Sequence, residues 1–237
     1  MRSSKGPRVQ RSKGPKVQGS KGPKVQRSKG SIQKCVAAML VAGGVALGAA
    51  QTPAPDLHGF TYPIAGGCLP KGAQLMPNAP RDYRKGIHEG VDFYNADNCT
   101  RITRGTPVLA AKAGTVIRAD VNYVRPSLAQ NSAALKDPKT DKSVDQFRGR
   151  QVWIDHGGGV VTRYCHLDGI VKGIAAGMTV TAGQPIAMVG ETGTPSSYTK
   201  PGSEYHLHFE VRIGDSYLGK GLPIAKEREV YGALFSR

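Results

Sequence analysis

The sequence predicts an all-β domain, an antiparallel sandwich or partly open barrel of short strands with a long surface loop near residues 122–147. Seven short β-branched or apolar runs follow residue 100, and glycine, proline or aspartate bounds each. No long stretch with apolar residues at helical spacing lies between them. The 237 residues hold 39% hydrophobic and 6% aromatic side chains with 31 Gly and 16 Pro, which suits a turn-rich globular domain rather than a helical bundle or a polytopic membrane protein.

The chain begins with a basic repeat. Ser4-Lys5-Gly6-Pro7-Arg8-Val9-Gln10 recurs at Ser12 and Ser20 and fades at Ser28, so residues 1–34 carry 11 Lys and Arg and no acid. Glycine, proline and mutually repelling charges in every unit leave nothing to bury, and the tail is predicted to be disordered. It also holds most of the formal net charge of +16, leaving 22 basic against 17 acidic residues beyond it. That balance gives the folded part no nucleic-acid signature. Residues 35–50 then form an apolar run of about 16 residues ending in Gly48, Ala49 and Ala50, behind Lys34. The run reads as a signal-peptide core cleaved near Ala50, in preference to an uncleaved anchor, because a spanning helix needs about 20 such residues; cleavage would leave no integral membrane span. No lipobox cysteine follows, so a lipoprotein is not expected.

Export alters the reading of the four cysteines. Cys35 would leave with the signal. Cys68 and Cys99 lie in turn-rich stretches and Cys165 in a strand-like run, so a Cys68–Cys99 disulfide is predicted; two free buried thiols are the other reading.

Residues 51–83 form a lead-in segment expected to pack on a groove, and residues 84–220 the main domain. Its strand runs start at Pro107, Gly114, Gln151, Val160, Thr179, Pro185 and Leu207. Residues 122–147, polar and with two prolines, break this rhythm as a surface loop, a short helix bordering a groove or a disordered insertion. Residues 221–237 are an extension too short to fold alone.

The chemistry lies in the histidines. In Tyr205-His206-Leu207-His208-Phe209-Glu210, residues two apart share one face of a strand, so His206 and His208 point together while Leu207 and Phe209 face a core. His88 and Asp92, four apart across Gly90, offer a nitrogen and a carboxylate oxygen; with His208 they make a three-ligand set with an open position, suited to Zn²⁺. The HExxH helix of other zinc proteases is absent.

These residues resemble the lysostaphin/LytM-type zinc metallopeptidases, which cut peptidoglycan cross-bridges or stem peptides. The match runs from about His88 to Ile213. It rests on His88-x-Gly90-x-Asp92-Phe93, Gly105-Thr106-Pro107-Val108, Ile154-Asp155-His156-Gly157, Thr162-x-Tyr164-x-His166-Leu167, Gly183-Gln184-Pro185-Ile186 and His206-Leu207-His208-Phe209-Glu210. The resemblance implies that His88, Asp92 and His208 bind one Zn²⁺ per chain and that His166 and His206 are the non-ligand catalytic histidines. It further implies an exported bacterial endopeptidase of the periplasm, cell wall or extracellular space, with peptidoglycan as its partner and no nucleic acid. Which histidine is the general base stays open. In this family an upstream asparagine can block the metal's open position, and Asn78 stands at a suitable distance; Tyr83 is the nearest upstream tyrosine that could assist the reaction.

Other residues admit plainer readings. Tyr164 is either a groove residue or a satisfied core tyrosine, Glu210 either orients a ligand imidazole or is an exposed carboxylate, and His156 is a turn residue. Three rival functions are weighed. A noncatalytic wall module, or an activator of another hydrolase, would be expected to lack some of the five site residues. A cysteine peptidase would need His166 to activate Cys165, its neighbour in a strand and therefore on the opposite face. A carrier domain is suggested by residues 177–186, which resemble the turn of biotinyl and lipoyl domains and so suggest a barrel-sandwich hybrid, but no modifiable lysine hairpin follows.

Overall fold

Strand follows strand where the apolar runs stand. In a computed structural model, which describes residues 54–236, the strands and helices are β1 (Pro80–Arg81), β2 (Gly86–Ile87), β3 (Val91–Tyr94), β4 (Pro107–Leu109), β5 (Gly114–Ala119), α1 (Leu128–Lys136), α2 (Asp141–Arg148), β6 (Val152–Asp155), β7 (Val160–Cys165), β8 (Leu167–Ile170), β9 (Thr179–Val180), β10 (Pro185–Val189), α3 (Ser196–Thr199), β11 (His206–Ile213), β12 (Ser216–Tyr217) and α4 (Ile224–Phe235). All pairings are antiparallel: a seven-stranded sheet runs β12-β11-β7-β6-β5-β9 with β3 also on β11, a second sheet runs β4-β10-β8, and β1 pairs β2. The fold is all-β, as the strand rhythm predicts. The repeat tail, the signal-like run and Cys35 lie outside the described residues. Among the described residues no helix is long and apolar enough to cross a membrane.

β11 organises the molecule. Its register sets His208 opposite Asp92 of β3 and opposite Cys165 of β7. One of its faces sends Leu207, Phe209 and Val211 into the core, where none has accessible surface, beside Val91, Phe93, Tyr164 and Leu167. Each such side chain contributes about 1.5–3 kcal/mol by leaving water. The opposite face carries His206, His208 and Glu210. Gly90 makes the close crossing of the β2–β3 turn over β11 possible, since a Cβ there would stand 2.3 Å from the Phe209 carbonyl oxygen.

Of the readings open for residues 122–147, the helical one holds, with two short helices where one was expected. Ser127 and Gln130 cap α1 reciprocally, and Thr140 Oγ1 accepts from Ser143 N–H at the start of α2. Caps and one apolar anchor, the buried Phe147, stabilise helices whose sequence has no sustained apolar stripe. Both flanks join the same core. Phe60, Ile64 and Met76 enter from the lead-in, and Tyr231, Leu234 and Phe235 from α4, with Phe235 stacked on Tyr62 at 4.3 Å between ring centroids. Cys68 and Cys99 form the disulfide predicted from their setting, Cα to Cα 5.5 Å, and Cys165 is a free buried thiol.

Candidate metal centre

Three donor atoms converge at the junction of β3 and β11. His88 Nε2 lies 2.9 Å from Asp92 Oδ1 and 2.9 Å from His208 Nδ1, and His208 Nδ1 lies 2.8 Å from Asp92 Oδ1. Ligands about 2.0–2.1 Å from a tetrahedral ion stand about 3.3 Å apart, so a few tenths of an ångström on each edge opens this triangle to a cation. Two imidazole nitrogens and one carboxylate oxygen suit a borderline divalent ion. His88, Asp92 and His208 are 2%, 5% and 7% exposed, so the donors are removed from bulk water.

Acceptors around the rings decide which nitrogen is free. His88 Nδ1 lies 2.8 Å from the Met76 carbonyl and must donate to it, which turns an unprotonated Nε2 to the cluster. His208 does the reverse: its Nε2 donates to Glu210 Oε1 at 3.0 Å and its Nδ1 faces Asp92. Arg81 Nη2 donates to the outer oxygen of Asp92 at 2.8 Å, leaving Oδ1 to the histidines. Glu210 is wholly buried among cations. Arg148 Nε donates to it at 2.6 Å, and Arg163 and Arg212 each stand 3.4 Å away.

His166 and His206 flank this cluster. His166 Nδ1 donates to the Thr192 carbonyl at 2.8 Å and His206 Nδ1 to the Glu204 carbonyl at 2.6 Å, so each presents Nε2 as an acceptor, with ring centroids 4.6 Å apart. His206 Nε2 lies 3.8 Å from Asp92 Oδ1. Burial, then the neighbouring histidines, holds the His166 pKa well below its ordinary value; burial likewise lowers those of His88 and His206. Burial also opposes charge on His208, but Asp92 and Glu210 on its two nitrogens outweigh it and raise its pKa. For Asp92 burial pushes the pKa up and the adjoining imidazoles bring it well below the carboxylate range. Glu210 stays ionised because Arg148 and His208 offset its burial.

All five residues singled out in the sequence line one cleft of about 480 Å³, together with Arg81, Tyr83, Arg84, Tyr94, Phe147 and Glu204 among others. One expectation is corrected and one alternative is decided. Asn78 does not reach the cluster: its side chain turns the other way, to residues 217–227, because these supply it with complementary donors and acceptors. For Tyr164 the core reading holds: the two-residue alternation that would carry it to the side of His166 ends with β7, where His166 has φ 61°. Tyr164 is a core residue whose hydroxyl accepts from Ala111 N–H at 2.7 Å. Cys165 is buried with its thiol pKa pushed up by burial, so no thiolate nucleophile stands there.

Tyr94, Arg81 and Arg148 were not singled out in the sequence. Tyr94 stacks on His206 at 4.1 Å and could have been found, standing two residues after Asp92 on the same strand face. The arginines carry no local signal, since their partners are distant in the chain.

The model of Peptidase family M23 matches residues 86–220, more than half of the chain, and spans all five histidine and aspartate positions. The chain belongs to peptidase family M23. Among solved structures this M23 chain is similar to a zinc-containing peptidase from Vibrio cholerae, at 24% identity over 68% of this chain and 38% of that one, TM-score 0.44. It is also similar to the catalytic domain of lysostaphin from Staphylococcus simulans, at 23% identity over 63% and 85%, TM-score 0.39. A further similarity is to a SpoIIQ–SpoIIIAH pore-forming complex, at 16% identity over 69% and 89%, TM-score 0.43. The M23 chain thus spans well under half the length of the Vibrio cholerae protein. No curated protein matches it significantly.

Proposed function

We propose that this M23 chain is an exported zinc-dependent endopeptidase that hydrolyses peptide bonds in peptidoglycan cross-links or stem peptides. The observation that carries the reading is the pairing of a three-donor triangle with two further imidazoles whose Nε2 atoms accept, all in one cleft. His88 Nε2, Asp92 Oδ1 and His208 Nδ1 would hold the ion. Zinc bound there supplies an electrophilic centre that polarises a peptide carbonyl and lowers the pKa of water toward about 7.

The chain's own residues do the rest. His166 and His206 are neutral because burial lowers their pKa; one of the two takes the proton of the attacking water at Nε2 and returns it to the leaving amine. Thr192 and Glu204 carbonyls hold the two rings in the tautomer that this requires. Once protonated, that ring's Nε2–H donates to the oxyanion until the proton passes on. Arg81 keeps Asp92 turned with one oxygen to the cluster, and Tyr94 limits rotation of His206 by stacking. The disulfide and the signal-like run at residues 35–50 support an oxidising compartment outside the cytoplasm, in a bacterial periplasm or wall.

The test is to purify the protein, quantify its metal and incubate it with peptidoglycan, with and without chelator, beside His208→Ala. About one zinc per chain, with new peptide amino termini lost in both controls, is the expected result. Zinc without cleavage of any wall preparation would support a noncatalytic wall module or an activator instead, and absence of zinc would end the ligand assignment.

A further inference from the structure

The lead-in before the family match and a segment that straddles the end of the match, residues 217–227, meet at one side chain, Asn78. Asn78 has a left-handed backbone, φ 63°, in the turn between the lead-in's short helix at Ala73–Leu75 and β1. Its Oδ1 accepts from Tyr217 Oη at 2.6 Å and from Gly221 N–H at 2.9 Å. Its Nδ2 donates to the Gly219 carbonyl at 2.7 Å, to the Leu222 carbonyl at 3.3 Å and to the Glu227 carboxylate. An amide has two donor hydrogens and one oxygen with two lone pairs. Residues 217–227 engage every one of them.

The same turn grips the cluster from its other side. Asn78 N–H donates to the His88 carbonyl at 2.9 Å, and His88 N–H donates to the Ala79 carbonyl at 2.8 Å. Two residues before Asn78, the Met76 carbonyl receives His88 Nδ1–H; three residues after it, Arg81 holds the outer oxygen of Asp92. The backbone and tautomer of His88 and the orientation of Asp92 therefore depend on residues 76–81. Those residues are in turn clasped by a segment about 140 positions later in the chain.

We propose that Asn78 is a positioning residue for the metal centre. The clasp of residues 217–227 on Asn78 holds the Met76 carbonyl against His88 Nδ1 and so aims His88 Nε2 at Asp92 and His208. This rests on reading His88, Asp92 and His208 as ligands, and it gives the end of the chain, most of it beyond the family match, a part in building the site. Carbonyl groups that orient ligand imidazoles change metal affinity by about 10- to 100-fold when displaced.

Asn78→Gly is the decisive variant, because glycine accepts φ 63° without strain while removing all the side-chain bonds. Zinc affinity is measured on the full chain by competition with a chromogenic chelator. The tautomer of His88 is read separately in metal-free protein from its ring-nitrogen NMR correlations. The expected result is zinc binding weaker by about tenfold or more, with loss of the Nδ1–H tautomer signal. Tyr217→Phe, which keeps the ring and removes one bond to Asn78, gives a milder change in the same direction, about two- to tenfold. It serves if Asn78→Gly does not fold. Unchanged zinc affinity and an unchanged His88 tautomer in the folded variants would overturn the proposal, even if their unfolding midpoints fell, since a merely structural role moves only the latter. The tautomer measurement needs no metal. If the wild-type protein bound no zinc, the ligand reading would fail while the clasp on His88 would still be judged.

Discussion

Glu210 accepts a hydrogen bond from Nε2 of His208 at 3.0 Å, and this contact decides which nitrogen of that ring faces Asp92. A buried carboxylate ringed by Arg148, Arg163 and Arg212 thus sets a tautomer in the His88–Asp92–His208 cluster. Glu210→Gln keeps an acceptor but removes the charge that three guanidiniums surround. Loss of one partner from a buried charge cluster costs about 3–5 kcal/mol, and loss of the orienting carboxylate about 10- to 100-fold in metal affinity. Denaturant unfolding and chelator competition measure the two effects; a variant with both unchanged would show that Glu210 does not orient His208.

The two pairs of histidines are expected to fail differently. His166→Ala and His206→Ala each lower kcat by about 10²- to 10⁴-fold with the metal retained, because neither ring belongs to the donor triangle. His88→Ala and His208→Ala lose the metal itself. Metal content measured beside peptide release separates the two classes, and metal loss in His166→Ala would move that residue into the ligand set.

The Cys68–Cys99 disulfide closes a loop with sequence separation 31 that contains His88 and Asp92. In the chain-entropy model a loop of that length contributes about 3–4 kcal/mol. The paired Cys68→Ala, Cys99→Ala protein is expected to unfold at lower denaturant by that amount. An unchanged midpoint would mean that packing of the lead-in already restrains the loop.

Stability is expected to fall with acid partly through His156, which lies away from the His88–Asp92–His208 cluster. Its Nδ1 donates to the Ala113 carbonyl at 2.8 Å, its Nε2 lies 2.9 Å from Thr162 Oγ1, and burial lowers its pKa. The unfolded chain takes a proton at this ring below about pH 6.5 while the folded chain refuses it, so folding free energy drops as pH falls from 7 toward the folded pKa. The slope from one such group is at most about 1.4 kcal/mol per pH unit. His156→Gln should flatten the dependence between pH 7 and 5 in chemical unfolding, and an unaltered slope would remove His156 from the account.

Strand positions were legible in the sequence because apolar runs bounded by turn residues have few alternatives, and the shared face of His206 and His208 follows from the two-residue period of a strand. The helices of residues 128–148 were less so, since Ser127 and Thr140 caps rather than an apolar stripe stabilise them. His166 marks the limit of periodicity: its left-handed backbone sends it into the cleft and leaves Tyr164 in the core. By itself the sequence determined the strand runs of β4–β7 and β9–β11, the favoured pairing of Cys68 with Cys99 and the donor types available at His88, Asp92 and His208, but not β3 or β8. Only the tertiary structure decided which ring nitrogen each histidine offers and where Asn78 points. Those depend on the Met76, Thr192 and Glu204 carbonyls, on Glu210 with its arginines, and on residues 217–227. Backbone carbonyls are common to every residue type, and contacts between distant segments leave no periodic trace, so orientation at the site is written in packing rather than in local pattern.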